Sequence, residues 1–416
     1  MEKTAFMFPG VGSQYPQMGK YFYDNFKCFQ STMQEAEDIA QIDIKSLIFD
    51  SNKKDQLSRL DNAQLIITAM SVALFRVYME EIGIPPAYGM GHSLGEYAAL
   101  CCSGVFKFDD TIRLIKKRSQ IIGTVSQQVG GTMMWVINLD YQKVEEIVSH
   151  ISNPAQDKAV FVSAYDCPTQ TSISGHNDAV MTVAREAEQA GAIVYPLKMS
   201  GPFHCPLMID AVEWMKSELF IYPINDFSYP VISNRTAKPY EGKNQVIENL
   251  SHQLISPIHW MSSVRFLVEQ GVTRVIEMGP KDVLKFLVKK NTNKITPYSM
   301  DRDFNQVMTQ FLIQEDEYLA LVGKCLGIVV STKNRNDDLS KYKIHVAEPY
   351  YKIETLYRQW TAEGQPPPRD QVIHVLNTLP AILNARNVPQ EEQHKRFALL
   401  LEGKTIKGLD IHALGM

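Results

Sequence analysis

Tyr88-Gly89-Met90-Gly91-His92-Ser93-Leu94-Gly95-Glu96-Tyr97-Ala98-Ala99-Leu100 is the stretch that decides the fold. A short apolar run enters a turn of G-x-S-x-G form, Gly91 to Gly95, and a helical run, Glu96–Cys102, leaves it. Glycines on either side of a serine permit the tight strand-to-helix reversal that projects its hydroxyl. The backbone N–H that follows can then face a developing oxyanion at the helix N-terminus. The same pentapeptide also suits an ordinary serine N-cap, so the rest of the chain must decide between them. Upstream, Thr4–Pro9 reads as a buried strand ending in the turn Gly10-Val11-Gly12-Ser13-Gln14. Asn62–Glu80 then carries Leu65, Ile66, Ala69, Met70, Ala73, Leu74 and Val77 at helical spacing. Strand, glycine-rich turn and helix in succession predict an α/β layer with a mainly parallel sheet.

Between about 130 and 198 the texture changes. Thr132–Asn138, Val160–Ala164, Thr171–Ser174 and Ile193–Leu197 read as strands, with helices over Tyr141–His150 and Ala179–Ala190. That order, βαββαβ, is the ferredoxin-like pattern, placed as an insertion into the larger layer. The layer resumes with strands at Val231-Ile232 and Arg274–Met278 and helices over Gln245–Leu254 and Asp282–Lys290. Past about 300 the composition shifts again: Leu326–Ser331 reads as one more strand, and Tyr350–Trp360, Asp370–Leu379 and Glu391–Leu401 as amphipathic helices. The expected domains are therefore 1–128 with 199–295, the insertion 129–198, and a mostly helical C-terminal extension, 296–416.

The 416 residues fit this plan, at roughly 100 to 200 residues per domain. Lys plus Arg number 42 against 46 Asp plus Glu, a net charge of −4, which argues against a nucleic-acid binder. No basic segment with an apolar run behind it opens the chain, and no run is read as reaching the roughly 20 apolar residues of a membrane span, so a cytoplasmic protein is expected. The six cysteines, at 28, 101, 102, 167, 205 and 325, form no CxxC pair and no metal-ligand spacing; neither disulfides nor a metal site is expected.

A serine hydroxyl needs a base to become a nucleophile. Of ten histidines, His204 stands out because Gly201-Pro202-Phe203-His204-Cys205-Pro206 places it in a Gly/Pro-bounded loop just beyond the insertion. His92, next to the serine, cannot readily curl back to its neighbour's hydroxyl and reads as a turn-stabilising residue.

FPGVGSQ near the N-terminus, GHSLGEYAAL at 91–100, Arg118, GPFHCPLM at 201–208, QLISPIHW at 253–260 and EMGPKDVL at 277–284 together resemble the malonyl-CoA:acyl-carrier-protein transacylases. The resemblance covers about residues 1–290 and implies an α/β-hydrolase-like domain with a ferredoxin-like insertion. It implies ping-pong acyl transfer: Ser93 attacks a malonyl thioester, His204 shuttles the proton, and the phosphopantetheine thiol of an acyl carrier protein collects the acyl group. Gln253 would orient His204 through its main-chain carbonyl, and the N–H groups of Val11 and Leu94 would form the oxyanion hole. Arg118 would clamp the free carboxylate, Gln64 would line the pocket, and Phe203 would crowd out an α-methyl. Coenzyme A enters as a thioester substrate, so no cofactor is implied, and a monomer is the default.

Four departures stand out: Val11 where the family has Gln, Leu65 where a proline is common, Asp166-Cys167-Pro168 for Asn-Ser-Pro, and Lys281-Asp282 in place of a glycine turn. The length past 300 matches stand-alone, trans-acting members that serve polyketide or hybrid polyketide/peptide assembly lines. Three readings compete. An acyl hydrolase that clears stalled carriers would lack the arginine. A general esterase would add a carboxylate from Asp109, Asp110, Asp140, Asp166 or Asp178. An inactive docking module would have lost the serine or the histidine.

Overall fold

Ala5, Phe6, Met7 and Phe8 are wholly buried, as expected of a central strand covered on both faces. The computed structural model describes residues 2–156, 158–197 and 201–414. Its strands are β1 (Lys3–Phe8), β2 (Tyr88–Gly91), β3 (Thr132–Ile137), β4 (Val160–Cys167), β5 (Gln170–Gly175), β6 (Ile193–Pro196), β7 (Val231–Ile232), β8 (Val272–Glu277) and β9 (Thr296–Ser299). One sheet has the order β7-β2-β1-β8-β9, with every neighbouring pair parallel. Register sets Phe8 beside Gly91 and Met7 beside Glu277, so the turns after β1, β2 and β8 gather at the carboxyl edge, where open α/β sheets bind ligands.

Two glycines make that edge possible. A Cβ on Gly95 would lie 1.8 Å from the carbonyl oxygen of Phe8, and one on Gly91 would lie 2.0 Å from the carbonyl carbon of Gly95. The helix Gly95–Cys102 therefore starts in direct backbone contact with the sheet, which no larger residue permits.

The second sheet is antiparallel, in the order β4-β5-β3-β6, and the helices Tyr141–Ile151 and Asn177–Gln189 complete a βαββαβ unit. Val136, Val144, Ile147, Ile173, Val180, Val183 and Ala187 form its core. Asp140 starts the first of these helices by accepting the Gln142 N–H at 2.9 Å. Ile258 is bridged to β4 through Ile258 N–H to Ser163 O at 3.0 Å and Tyr165 N–H to Ile258 O at 2.9 Å. The return boundary expected at 198/199 lies outside the described residues.

Two compact units are distinguished, Glu2–Val77 with Pro86–Phe304, and Tyr78–Pro85 with the residues from Asn305 onward. Because β9 pairs with β8, residues 296–304 belong to the parallel-sheet unit rather than to an extension starting at 296. In the second unit Tyr78 meets the Phe311 ring at 5.9 Å and Lys407 pairs with Glu81 at 2.6 Å. Helices Tyr318–Ser331, Glu348–Glu363, Arg369–Ala385 and Gln390–Leu401 enclose a core that includes Val322, Val346, Leu376, Ile382 and Phe397.

The strand expected at Leu326–Ser331 is the last part of a helix. Its buried positions, Tyr318, Leu321, Val322, Cys325, Leu326 and Val329, follow a helical period that six residues alone cannot show. The buried Arg386 guanidinium closes that helix by donating to the carbonyls of Val329 and Thr332. A second correction concerns Leu60–Glu81, which by length and composition could cross a membrane. In the fold, 78% of its apolar window is buried, which is the pattern of a core helix.

Candidate active site

Ser93 sits at φ +51°, in the left-handed region that side-chain-bearing residues rarely occupy. Its main chain is pinned to hold it there. The Ser93 N–H donates to Asn234 Oδ1 at 2.7 Å, Asn234 Nδ2 donates to Gly91 O at 2.5 Å, and Gln253 Nε2 donates to Ser93 O at 3.1 Å. Beneath the turn lies the buried carboxylate of Glu96. It accepts from Asn234 N–H at 3.0 Å, Tyr240 OH at 2.7 Å and Gln253 Nε2 at 2.6 Å. Burial pushes Glu96 up to about 7, although those same hydrogen bonds oppose the rise.

The Gly201–Met208 loop carries His204 to the serine, with its own backbone at φ +59°. Ser93 Oγ and His204 Nε2 are 2.7 Å apart, and His204 Nδ1 lies 2.9 Å from the main-chain oxygen of Gln253. A carbonyl can only accept, so Nδ1 carries the proton and Nε2 is left free to take one from the serine. Burial lowers His204 to about 3; the hydrogen bond to Gln253 opposes this, while the charges of Arg118 and His92 add to it. The ring is thus a neutral acceptor throughout the physiological range. With Nδ1 bound to Gln253, the carboxylate an esterase triad would place there has its partners elsewhere: Asp166 meets His92 Nε2 at 2.9 Å and Asp109 meets Arg113 at 2.7 Å.

Arg118 lies on the helix Phe108–Val129. On the same helix Arg113 is half exposed and paired, whereas Arg118 is only 4% exposed. Its Nη1 donates to Gln64 Oε1, and its guanidinium lies 5.3 Å from the centre of the Tyr97 ring. Arg118 Nε and Gln64 Nε2 are buried without a hydrogen-bond acceptor, and among the described residues no carboxylate forms an ion pair with Arg118. An always-charged group buried without a counterion is costly, and a ligand anion would remove that cost.

The remaining expected residues border the same region. Leu94 is buried at the start of the helix Gly95–Cys102. Gly10, before the exposed Val11, packs so closely on the serine turn that a Cβ there would lie 2.7 Å from the His92 oxygen. Phe203 accepts Ser174 Oγ at 2.8 Å through its carbonyl and, with Leu65, Ser119 and Arg59, lines a groove of about 780 Å³. Among the described residues no cluster of His, Cys, Asp or Glu could hold a metal ion.

Glu96, Asn234 and Tyr240, which brace the serine turn, were not among the expected site residues. Glu96 gave one signal, a lone carboxylate directly before the apolar run Tyr97–Cys102. Asn234 and Tyr240 gave none, because they lie more than a hundred residues away and meet the turn only through the fold.

A family described as acyl transferase domain matches residues 5–319. A malonyl CoA-acyl carrier protein transacylase of Bacillus subtilis is 34% identical over 398 residues, covering 94% of this chain and 99% of its own. Another, from Bacillus subtilis strain 168, is 33% identical over 319 residues, with 76% and 99% covered. Among solved structures, FabD from Acinetobacter baumannii superposes with TM-score 0.70 at 29% identity, covering 74% of this chain and 98% of its own. A malonyl-transacylase in complex with its type II polyketide synthase acyl-carrier protein gives 0.69 at 30%, with the same coverage. The chain belongs to the acyl transferase domain family.

Proposed function

We propose that this chain is a malonyl-CoA:acyl-carrier-protein transacylase working by a Ser93/His204 ping-pong mechanism. The observation that carries the reading is Arg118, a buried guanidinium that pairs with no carboxylate among the described residues and whose charge acts on the histidine of a serine–histidine pair at 2.7 Å. Ser93 Oγ attacks the thioester carbonyl as its proton passes to His204 Nε2, and the resulting oxyanion is held by the N–H groups of Val11 and Leu94. Collapse breaks the C–S bond, and coenzyme A leaves as a thiol with the proton from His204. In the second half the carrier's phosphopantetheine thiol gives its proton to His204 and attacks the acyl-serine; the departing Ser93 oxygen recovers that proton. Malonate's free carboxylate pairs with Arg118 throughout, and Phe203 limits bulk at the α-carbon.

The carrier partner belongs to a polyketide or hybrid synthase served in trans, in keeping with the likeness to a transacylase solved with a polyketide carrier. The reading takes the chain as a cytoplasmic monomer needing no cofactor. Incubation with malonyl-, methylmalonyl- and acetyl-CoA, followed by intact mass with and without holo carrier protein, tests it. A malonyl adduct lost in Ser93→Ala and discharged faster by carrier protein than by water supports it. Rapid hydrolysis, or acetyl loading equal to malonyl, would overturn it. Fatty-acid and polyketide carriers compared side by side would test the choice of partner.

A further inference from the structure

Lys281 lies between β8 and the helix Val283–Asn291, at φ +64°. A non-glycine residue in that region costs about 1–3 kcal/mol and persists only where its surroundings enforce it. Here they do. The Lys281 N–H donates to Asp301 Oδ2 at 2.7 Å, and its carbonyl accepts from Ser299 Oγ at 2.6 Å. So oriented, the side chain reaches the first turn of the chain, where Nζ donates to the carbonyl of Gly12 at 2.9 Å.

The same turn has a second tie to the same anchor. Tyr15 OH donates to Asp301 Oδ2 at 2.7 Å, and the Arg302 guanidinium covers the Tyr15 ring at 4.7 Å. Within the turn, Gly12 N–H donates to Gln14 Oε1 and Ser13 Oγ to the Gly10 carbonyl, both at 2.8 Å. Val11, between two glycines, contributes no polar side-chain atom of its own. Glycine-flanked backbone is soft, so the place of the Val11 N–H depends on what fastens its neighbours.

We propose that Lys281 is a positioning residue for acyl transfer: its ammonium fixes the Gly10–Gln14 turn and thereby holds the Val11 N–H where the oxyanion forms. The inference rests on the assignment of Val11 under the proposed function. Donors arranged before the reaction stabilise the developing charge without reorganising, and a charge-assisted bond from Lys281 is a strong way to arrange this one.

Three variants test it by pre-steady-state malonyl loading of Ser93. Lys281→Met keeps the length and loses the donor, Lys281→Arg keeps a donor, and Lys281→Gly relieves the backbone while losing the donor. The expected result is a fall of about tenfold in the maximal loading rate for Met and Gly, with half-saturation unchanged. That lies below the 10²–10³-fold that outright loss of an oxyanion donor costs. Water-driven release of the malonyl group, which uses the same donors, should slow in parallel, and Lys281→Arg should recover part of both rates. Wild-type rates in Lys281→Met, a change confined to half-saturation, or a loss that follows melting temperature alone would overturn the proposal. The wild-type arm separates the two readings: failure of the wild type to load malonyl defeats the transacylase assignment and this inference with it, whereas normal wild-type loading with indifferent variants defeats only the role of Lys281.

Discussion

If Arg118 clamps the malonyl carboxylate as proposed, replacing it with alanine should leave a site that no longer distinguishes malonyl from acetyl. The guanidinium is buried, with Gln64 Oε1 and the face of Tyr97 as neighbours and no carboxylate partner among the described residues, so little of its charge is neutralised by the protein. A bidentate carboxylate would make two charge-assisted hydrogen bonds, each worth about 1.5–3 kcal/mol. Removing one partner of a buried pair costs about 3–5 kcal/mol, and at about 1.4 kcal/mol per decade malonyl loading should fall by roughly two to four powers of ten. Acetyl has no carboxylate to strand, so its loading should be unchanged or higher. The assay is single-turnover loading from each thioester, read by intact mass, with melting temperature measured on the same samples. An equal loss for both substrates at unchanged melting temperature would refute the carboxylate pairing and make Arg118 a structural cation.

Other outcomes follow from the same geometry. Because His204 is lowered to about 3 rather than its usual 6.5, protonation of the imidazole should not limit kcat/KM for loading between pH 5 and 8; Glu96, raised to about 7, titrates inside that range, so an acid limb near 6.5 that persists in Glu96→Gln would contradict the buried neutral imidazole. Glu277 is fully buried and raised to about 8, chiefly by burial, while the unfolded carboxyl titrates near 4.5. Between those values the folded state holds the proton and the unfolded state does not, so its contribution to stability falls as pH rises from about 4.5 to 8; Glu277→Gln should flatten that slope in a melting-temperature series. Gly95→Ala would put a methyl carbon 1.8 Å from the Phe8 oxygen and should yield insoluble protein or a melting temperature lower by more than about 10 °C, whereas an unperturbed variant would show that the helix start can shift. Deleting 305–416 removes the Phe311 ring that packs on the fully buried Tyr78 and should lower stability; unchanged melting would show that Tyr78–Pro85 does not depend on that segment.

The serine turn was readable because its demands are local: glycine at 91 and 95 and a helix afterwards state the backbone path in five residues. The insertion was readable because strands and helices alternate at short range in an order few folds use. What escaped were contacts made across the chain. Glu96 announced itself only as a charge out of place, and its partners Asn234, Tyr240 and Gln253 lie beyond any local window. The strand assigned to Leu326–Ser331 failed because a six-residue apolar run has the same composition in either state. Lys281 was visible as a departure from a glycine turn, but its tie to Gly12, 269 positions away, was not.

The histidine's second partner is a main-chain oxygen, and this has a genetic consequence. All twenty amino acids supply that carbonyl, so no codon change at 253 deletes the acceptor of the His204 proton, as one would at the aspartate of a triad. A saturation library at 253 should therefore report only on the Gln253 side chain, which holds the serine turn through Ser93 O and Glu96. Under the proposed mechanism the proton relay is exposed to single-codon loss at two positions instead of three, and a search for a carboxylate partner would pass this protein by.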